Sequence, residues 1–320
     1  MKLIVIIPAY NEAATIGTVL ARIPWNIPGV HEQEVVVIDD GSVDGTGEAA
    51  RKAGATVVSH SENRGLGKAF ATGVEETLLR QGDVMVILDA DNQFDAADIP
   101  RLIQPIVEGK ADFVSASRFT KENSVSHIPL YRVVGNKFMA AFLNLASGRS
   151  FSDVSCGFRA YSREALFHLN LFGNFTYTQE ALLNLHFKGL RLHEVPVKVV
   201  YFPGRKSHIS ASIPRYLLQT LKIIFRTILD YRPLIVFGGV GASLFGAGAI
   251  LDGVMVLVYL NTGQFSPYIS VGIVGIVLNM FGLFLIVVGL LADMLNRIRH
   301  NQERILYLEK KQMYDRERRF

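Results

Sequence analysis

The stretch Val84-Met85-Val86-Ile87-Leu88-Asp89-Ala90-Asp91-Asn92-Gln93 decides the fold. Its first five residues are a short, bounded apolar run rich in β-branched side chains, which predicts a strand buried on both faces. Asp89 and Asp91 follow at once, so two carboxylates fall where a strand ends and a loop begins. In extended chain, residues i and i+2 point the same way. Like charges so placed repel, and each raises the other's pKa unless a cation lies between them. A divalent metal suits that position, because Mg²⁺ takes one or two carboxylates and completes its shell with water and phosphate oxygens. A D-x-D pair that only caps a turn looks the same in isolation, so the neighbours decide.

Working outward, strands alternate with helical patterns. Lys2–Ile7, Glu34–Ile38, Thr56–Ser59 and Phe113–Ser117 read as further strands. Between them lie a helix with Ile16, Val19, Leu20 and Ile23 on one face, one capped by Asp44 and running to Ala53, one ending near Arg80, and one over 99–108. That alternation predicts an α/β domain with a mainly parallel, doubly wound sheet. Ligands of such sheets sit beyond the carboxyl ends of the strands. Asn11 and Glu12, Asp39 and Asp40, Asp89 and Asp91, and Arg118 all follow strand ends, so four polar clusters should meet on one rim. Residues 131–201 read as mixed helix and short strand continuing the same domain, which we bound at 1–210.

The remainder is different. Leu234–Leu260 carries one charge, Asp252, and Tyr268–Leu291 carries none. Each is long enough to cross a hydrocarbon core about 30 Å thick. Residues 211–232 should form a juxtamembrane amphipathic helix, with Leu217, Leu221, Ile224 and Ile228 on one side and Arg215, Lys222 and Arg226 off it. Residues 233–295 then hold the two transmembrane helices, and 296–320 a charged cytoplasmic helix. The formal net charge is +4, with the basic excess concentrated in 205–232 and 296–320, on either side of the apolar block. That distribution suits anionic lipid head groups and argues against nucleic acid, which wants a basic face on the folded domain. Arg226 and Arg232 precede the first span and Arg297 and Arg299 follow the second, so both termini and the N-terminal domain should be cytoplasmic. The glycines of the first span and the charged tail suit association between copies. Asp252 is costly at depth and should face a partner. Cys156 is the single cysteine, so an internal disulfide is excluded.

Other site chemistries fail on spacing. A phosphate loop ending at Gly67-Lys68 would need glycine where Glu62 stands and Ser or Thr where Ala69 stands; the dinucleotide fingerprint fails at Phe70. The histidines lack metal-ligand spacing, and no G-x-S-x-G elbow occurs.

Five pieces in order, Ile7-Pro8-Ala9-Tyr10-Asn11-Glu12, Val37-Ile38-Asp39-Asp40-Gly41-Ser42, Asn63-Arg64-Gly65-Leu66-Gly67-Lys68-Ala69, Asp89-Ala90-Asp91-Asn92-Gln93 and Ser117-Arg118-Phe119, resemble the family-2 inverting glycosyltransferases of GT-A fold. Tyr131-Arg132 with Asn136, Ser152-Asp153 with Gly157-Phe158-Arg159-Ala160-Tyr161, and Arg205-Lys206-Ser207 look like the polyprenyl-phosphate branch, the dolichol-phosphate mannose or glucose synthases. The resemblance implies a nucleoside diphosphate sugar held by Pro8, Ala9, Tyr10, Asn11, Glu12, Asp39, Asp40, Gly65, Lys68 and Ala90. It implies Mg²⁺ or Mn²⁺ on Asp89, Asp91 and Gln93, with Arg118 beside the phosphates. It places Arg132, Asn136, Arg205 and Lys206 around the phosphate of a polyprenyl acceptor. The second reading keeps the enzyme class and gives it a lipid or glycan hydroxyl acceptor, which would need a general base.

Overall fold

The computed structural model describes residues 1–119, 130–170, 177–200, 222, 225–226, 228–229, 231–266 and 268–316; the side chains of 130–132, 145–146 and 316 fall outside that description. Nearly all of the expected amphipathic helix at 211–232 therefore lies outside the described residues, as do Arg205 and Lys206. The chain divides into two units, Met1–Ile224 with Leu306–Phe320, and Phe225–Ile305.

The first unit is built on a seven-stranded sheet. Its strands are β1 (Lys2–Ala9), β2 (Glu32–Asp39), β3 (Thr56–Ser59), β4 (Val84–Ile87), β5 (Phe113–Ser117), β6 (Arg159–Ser162) and β7 (Leu192–Pro196), in the spatial order β3-β2-β1-β4-β6-β5-β7. The pairs β1–β2, β1–β4, β2–β3 and β5–β7 are parallel. Strand β6 runs antiparallel between β4 and β5. The sheet is thus mostly parallel, as expected, with one inserted strand that the alternation of patterns did not reveal.

Apolar side chains leave β1 and β4 on both faces, because helices cover both. Leu3, Val5 and Ile7 of β1 and Val84, Val86 and Leu88 share one core with α1 (Ile16–Ala21) and α4 (Ile99–Val107). The alternate residues Ile4 and Ile6 are equally buried on the opposite side. There α3 (Leu66–Leu79) comes so close that a Cβ on Gly73 would sit 2.6 Å from a methyl of Ile6. Helix α2 (Thr46–Lys52) starts one residue later than a cap at Asp44 implies. Gly45 holds the left-handed cap position, and Asp44 still accepts the Thr46 N–H at 3.0 Å.

Helices α5 (Leu130–Ser147), α6 (Arg163–His168) and α7 (Thr178–Phe187) complete this unit. Its last element comes from the far end of the chain. The second apolar helix runs unbroken from Ile269 to Arg316, well past the end expected for its span. Residues 292–316 contain no Gly or Pro, and the i,i+4 pairs Asp293–Arg297 and Arg299–Glu303 support continuation. Its final turns belong to the first unit rather than forming a separate tail. Tyr307 donates to Glu164 at 2.8 Å, Lys310 to the carbonyl of Leu169 at 2.8 Å, and buried Arg163 to the carbonyl of Tyr314 at 3.2 Å and to Asp315 at 3.2 Å. Arg163 also holds the Gly82 carbonyl just before β4, so the segment docks at the rim opposite Asp89.

The second unit pairs the first apolar helix, Pro233–Thr262, with the long one. Both are long and apolar enough to cross a membrane. They touch through small residues: a Cβ on Gly241 would lie 2.7 Å from the Gly282 carbonyl oxygen. Asp252 has the partner its cost requires, because Asn279 Nδ2 donates to it at 2.7 Å.

Ending the chain after Leu306 would remove the bonds that Tyr307, Lys310, Tyr314 and Asp315 make with the first unit. Hydrogen bonds contribute about 0.5–1.5 kcal/mol each, so the first unit's melting point should fall by several degrees in a thermal-shift measurement. An unchanged melting point would show that the docked segment contributes nothing to stability.

Candidate active site

The rim beyond the strand ends is assembled loop upon loop. Asn11, at φ +54°, donates its N–H to Ser42 Oγ at 3.0 Å and accepts the Val43 N–H on Oδ1 at 3.0 Å. The Glu12 N–H donates to Thr46 Oγ1 at 2.8 Å, and that of Ala13 to Asp44 at 3.1 Å. The loop after β1 is thereby latched to the loop after β2. Gly41 is the contact between that second loop and the one after β3. With φ +74°, its missing Cβ would stand 2.4 Å from the Glu62 carbonyl carbon, a place no side chain can occupy.

Asp39 and Asp40 are both buried, and each braces backbone. Asp39 accepts the Ser42 N–H at 3.0 Å. Asp40 accepts the N–H groups of Arg64 at 3.0 Å and Gly65 at 2.8 Å, and bonds His60 Nδ1 at 2.7 Å. The family resemblance assigns Asp40 to the nucleotide; the fold commits its oxygens to the turn that opens α3. Pro8 and Ala9 end β1 and are buried, Tyr10 is half-buried, Gly65 takes φ +89° before α3, and Lys68 is exposed on that helix's first turn.

Asp89 and Asp91 emerge from β4 as expected, with Ala90 buried between them. Asp91 Oδ1 accepts the Gln93 N–H at 2.9 Å, and Asn92 takes φ +59°, which turns the chain sharply. The chain then pairs briefly with the 199–200 segment: Phe94 bridges Val199, and the Gln93 carbonyl accepts the Val200 N–H at 2.9 Å. Protein surrounds most of Asp89. Burial pushes its pKa up to about 7, Asp91 and Glu12 push the same way, and Arg118 and Arg159 oppose them. Gly157 lies against this carboxylate, where a Cβ would meet Asp89 Oδ2 at 2.9 Å. Among the described residues no three His, Cys, Asp or Glu side chains gather as a metal cage. Two carboxylates, one of them pressed toward neutrality, suit a cation that would bring phosphate and water as its other ligands.

Arg118 is held in a fork. Its Nε and Nη2 reach Asp153 at 2.7 and 2.9 Å, and Nη2 also donates to Ser155 Oγ at 2.7 Å. Burial raises the pKa of Asp153, but the charge and hydrogen bonds of Arg118 outweigh it and hold the carboxyl low. The Asp153 loop is itself braced. Glu194 accepts the N–H of Ser152 at 3.0 Å and that of Asp153 at 3.0 Å. Asn136 donates to the Ser152 carbonyl at 2.8 Å and accepts from the Val154 N–H at 3.2 Å and Ser155 Oγ at 3.3 Å. Asn136, which the resemblance sets beside an acceptor phosphate, is buried with its amide turned to this loop. In this arrangement Asn136 braces the loop whose Asp153 holds Arg118. Arg132 lies in α5, but its side chain is outside the described residues.

Sequence reasoning missed Arg159 as a site residue. It is fully buried on β6, opposite Ile87, donates to the Thr178 carbonyl at 2.5 Å and lies over the Phe113 ring at 5.5 Å. The sequence carried little signal, because Arg159-Ala160-Tyr161-Ser162 is too short and polar to announce a buried strand, and only the fold shows the acceptors a buried arginine needs.

The model for glycosyl transferase family 2 matches residues 4–169. This chain belongs to that family. Glycosyltransferase AglJ of Haloferax volcanii is 29% identical over 311 residues, covering 95% of this chain and 97% of AglJ. The UDP-N-acetylglucosamine–dolichyl-phosphate N-acetylglucosaminyltransferase of Methanococcus voltae is 29% identical, over 61% of this chain and 84% of its own. Among solved structures, glucosyl-3-phosphoglycerate synthase of Mycobacterium tuberculosis, bound to Mn²⁺, UDP and phosphoglyceric acid, superposes with a TM-score of 0.56 at 22% identity. That superposition covers 71% of this chain and 78% of the synthase. The first unit therefore has the GT-A fold, and the protein is a glycosyltransferase.

In this family-2 chain Gly157→Ala should push Asp89 from its place while leaving the backbone undisturbed. Transfer should fall about 10- to 100-fold, as when a metal ligand loses its support, with circular dichroism unchanged. Full activity would show that Asp89 has room to spare.

Proposed function

We propose that the protein transfers a hexose, with inversion, from a nucleoside diphosphate sugar to a polyprenyl phosphate at the cytoplasmic face of a membrane. One observation carries the reading: two carboxylates that burden one another share a rim with a fixed arginine, in a chain that also has two helices long enough to span a bilayer. Relatives named as dolichyl- and undecaprenyl-phosphate sugar transferases support the acceptor class.

The attacking group would be a phosphate monoester, whose second pKa near 6 leaves it mostly dianionic at neutral pH, so no general base is needed. What the site must do is hold two anions together. Pro8, Tyr10, Glu12 and Asp39 line the nucleotide end, with Gly65 and Lys68 at the start of α3. Asp89, Asp91 and Gln93 would hold Mg²⁺ or Mn²⁺, which when bound screens the diphosphate and stabilises charge on the departing group. Arg118 keeps a fixed cation beside Asp89. Arg132, Arg205 and Lys206 are assigned to the lipid phosphate. The basic residues flanking the apolar helices support a topology with both termini on the cytoplasmic side.

Membranes incubated with labelled UDP-glucose, UDP-N-acetylglucosamine or GDP-mannose and a polyprenyl phosphate should yield chloroform-soluble label that mild acid releases and EDTA prevents. Label found only in water-soluble or polymeric product would instead favour a hydroxyl acceptor. Asp91→Asn should abolish transfer with fold and insertion intact; substantial residual activity would remove the metal role. Arg132→Ala should raise KM for the lipid phosphate more than for the donor.

The Asp89 titration adds a pH signature. A carboxyl whose folded pKa lies near 7, above its ordinary 3.8, makes the metal-free fold lose stability as pH rises from about 4 through about 7. Added Mn²⁺ relieves that loss by binding the ionised pair, so its stabilising shift in melting temperature should be larger at pH 8 than at pH 5.5. Equal shifts at both pH values would contradict the assignment.

A further inference from the structure

We infer that His60 is a positioning residue for the nucleotide donor, acting through Asp40. The inference rests on the reading that this rim binds a nucleoside diphosphate. His60 follows β3, and its N–H donates to the Asp39 carbonyl at 2.8 Å. Its side chain is 7% exposed and that of Asp40 6%, so the pair is shut away from water. Both ring nitrogens are engaged: Nδ1 with Asp40 Oδ1 at 2.7 Å, and Nε2 with Thr72 Oγ1 of α3 at 3.0 Å. An ionised carboxylate only accepts, so Nδ1 carries the proton toward Asp40. In the neutral ring Nε2 then accepts from the Thr72 hydroxyl.

One imidazole therefore ties the end of β2 to the body of α3. Asp40 passes that fixity on, because its other contacts are the Arg64 and Gly65 N–H groups that shape the entry to α3. A histidine that merely filled core space would need no such partners on two elements. Here the ring, the carboxylate and the turn form one braced unit joined to the end of β1, whose Ala9 carbonyl accepts the Asp40 N–H at 2.9 Å. Without the Nδ1 donor, the Asp40 carboxylate is held only by the Arg64 and Gly65 N–H groups, and the tie from that turn to the body of α3 through Thr72 is lost.

The test uses the full chain in detergent, with UDP and GDP, each with Mn²⁺, as probes in calorimetry, and donor and acceptor KM values from the transfer assay. His60→Ala should weaken the nucleotide that the wild type binds, and raise donor KM, by about tenfold, the loss expected for one hydrogen bond to a charged group. KM for polyprenyl phosphate should stay unchanged. His60→Asn places an amide nitrogen where Nδ1 stands and should recover most of the affinity. His60→Gln reaches the Nε2 position instead and should not. Equal behaviour of the Asn and Gln variants, a parallel rise in both KM values, or an unchanged donor KM in His60→Ala would each overturn the inference. A wild-type chain that neither binds these nucleotides nor transfers sugar would fail the functional reading itself, and this inference with it.

Discussion

Two like charges, forced to stand one residue apart at the end of a buried strand, set the terms for everything around them. Burial of Val84–Leu88 on both faces of the sheet leaves Asp89 no retreat, and the turn at Asn92 leaves Asp91 none either. The protein answers with two arginines. Arg118 is fixed by Asp153 and Arg159 by carbonyl groups, and both lower a carboxyl that burial and Asp91 raise. They do not cancel the excess. A rim left with that imbalance is prepared for a cation that arrives with its own anionic ligand.

Rigidity at this rim comes from layers of support rather than from any one bond. Glu194 and Asn136 fix the 152–155 loop, the loop fixes Asp153, and Asp153 fixes Arg118. On the side of β1 and β2, Ser42, Asp44 and Thr46 hold the loop after β1, while Asp40 holds the loop before α3. The two systems flank the carboxylates. A charged site needs such layering, because a guanidinium or carboxylate held by a single contact would relax toward its partner and lose the geometry that makes it useful.

The sheet was legible because its strands announce themselves. β1 and β4 are continuous apolar runs that end in polar clusters, and parallel strands buried on both faces have no other way to look. β6 was not, because Arg159-Ala160-Tyr161-Ser162 is short and polar in outline; its buried arginine is met by carbonyls of Val154, five residues earlier, and of Thr178, at the start of α7. The positions of the carboxylates, of Arg118 and of the loop residues Asn11 and Glu12 on one rim could be read from their places after strands. The hydrogen bonds by which Asp40 and Asn136 brace backbone could not. A carboxylate that braces backbone N–H groups and one that greets a ligand have the same sequence signature, and only the third dimension shows which donors arrive. The docking of Tyr307–Asp315 was also hidden, since a charged amphipathic tail carries no mark of the surface it meets.

The Arg118–Asp153 fork also constrains the chemistry proposed for the site. A guanidinium already bidentate to a buried carboxylate contributes direction more than net charge, so it orients an anion without attracting one strongly. On the proposed reading, attraction comes from the metal and from Arg132, Arg205 and Lys206, the residues assigned to the lipid phosphate. A donor carrying its own metal would satisfy the carboxylates first and bring the rim closer to neutral. The approach of a second anion, the lipid phosphate, would become favourable only afterwards. On the proposed reading, that electrostatic sequence favours binding of the donor before the acceptor.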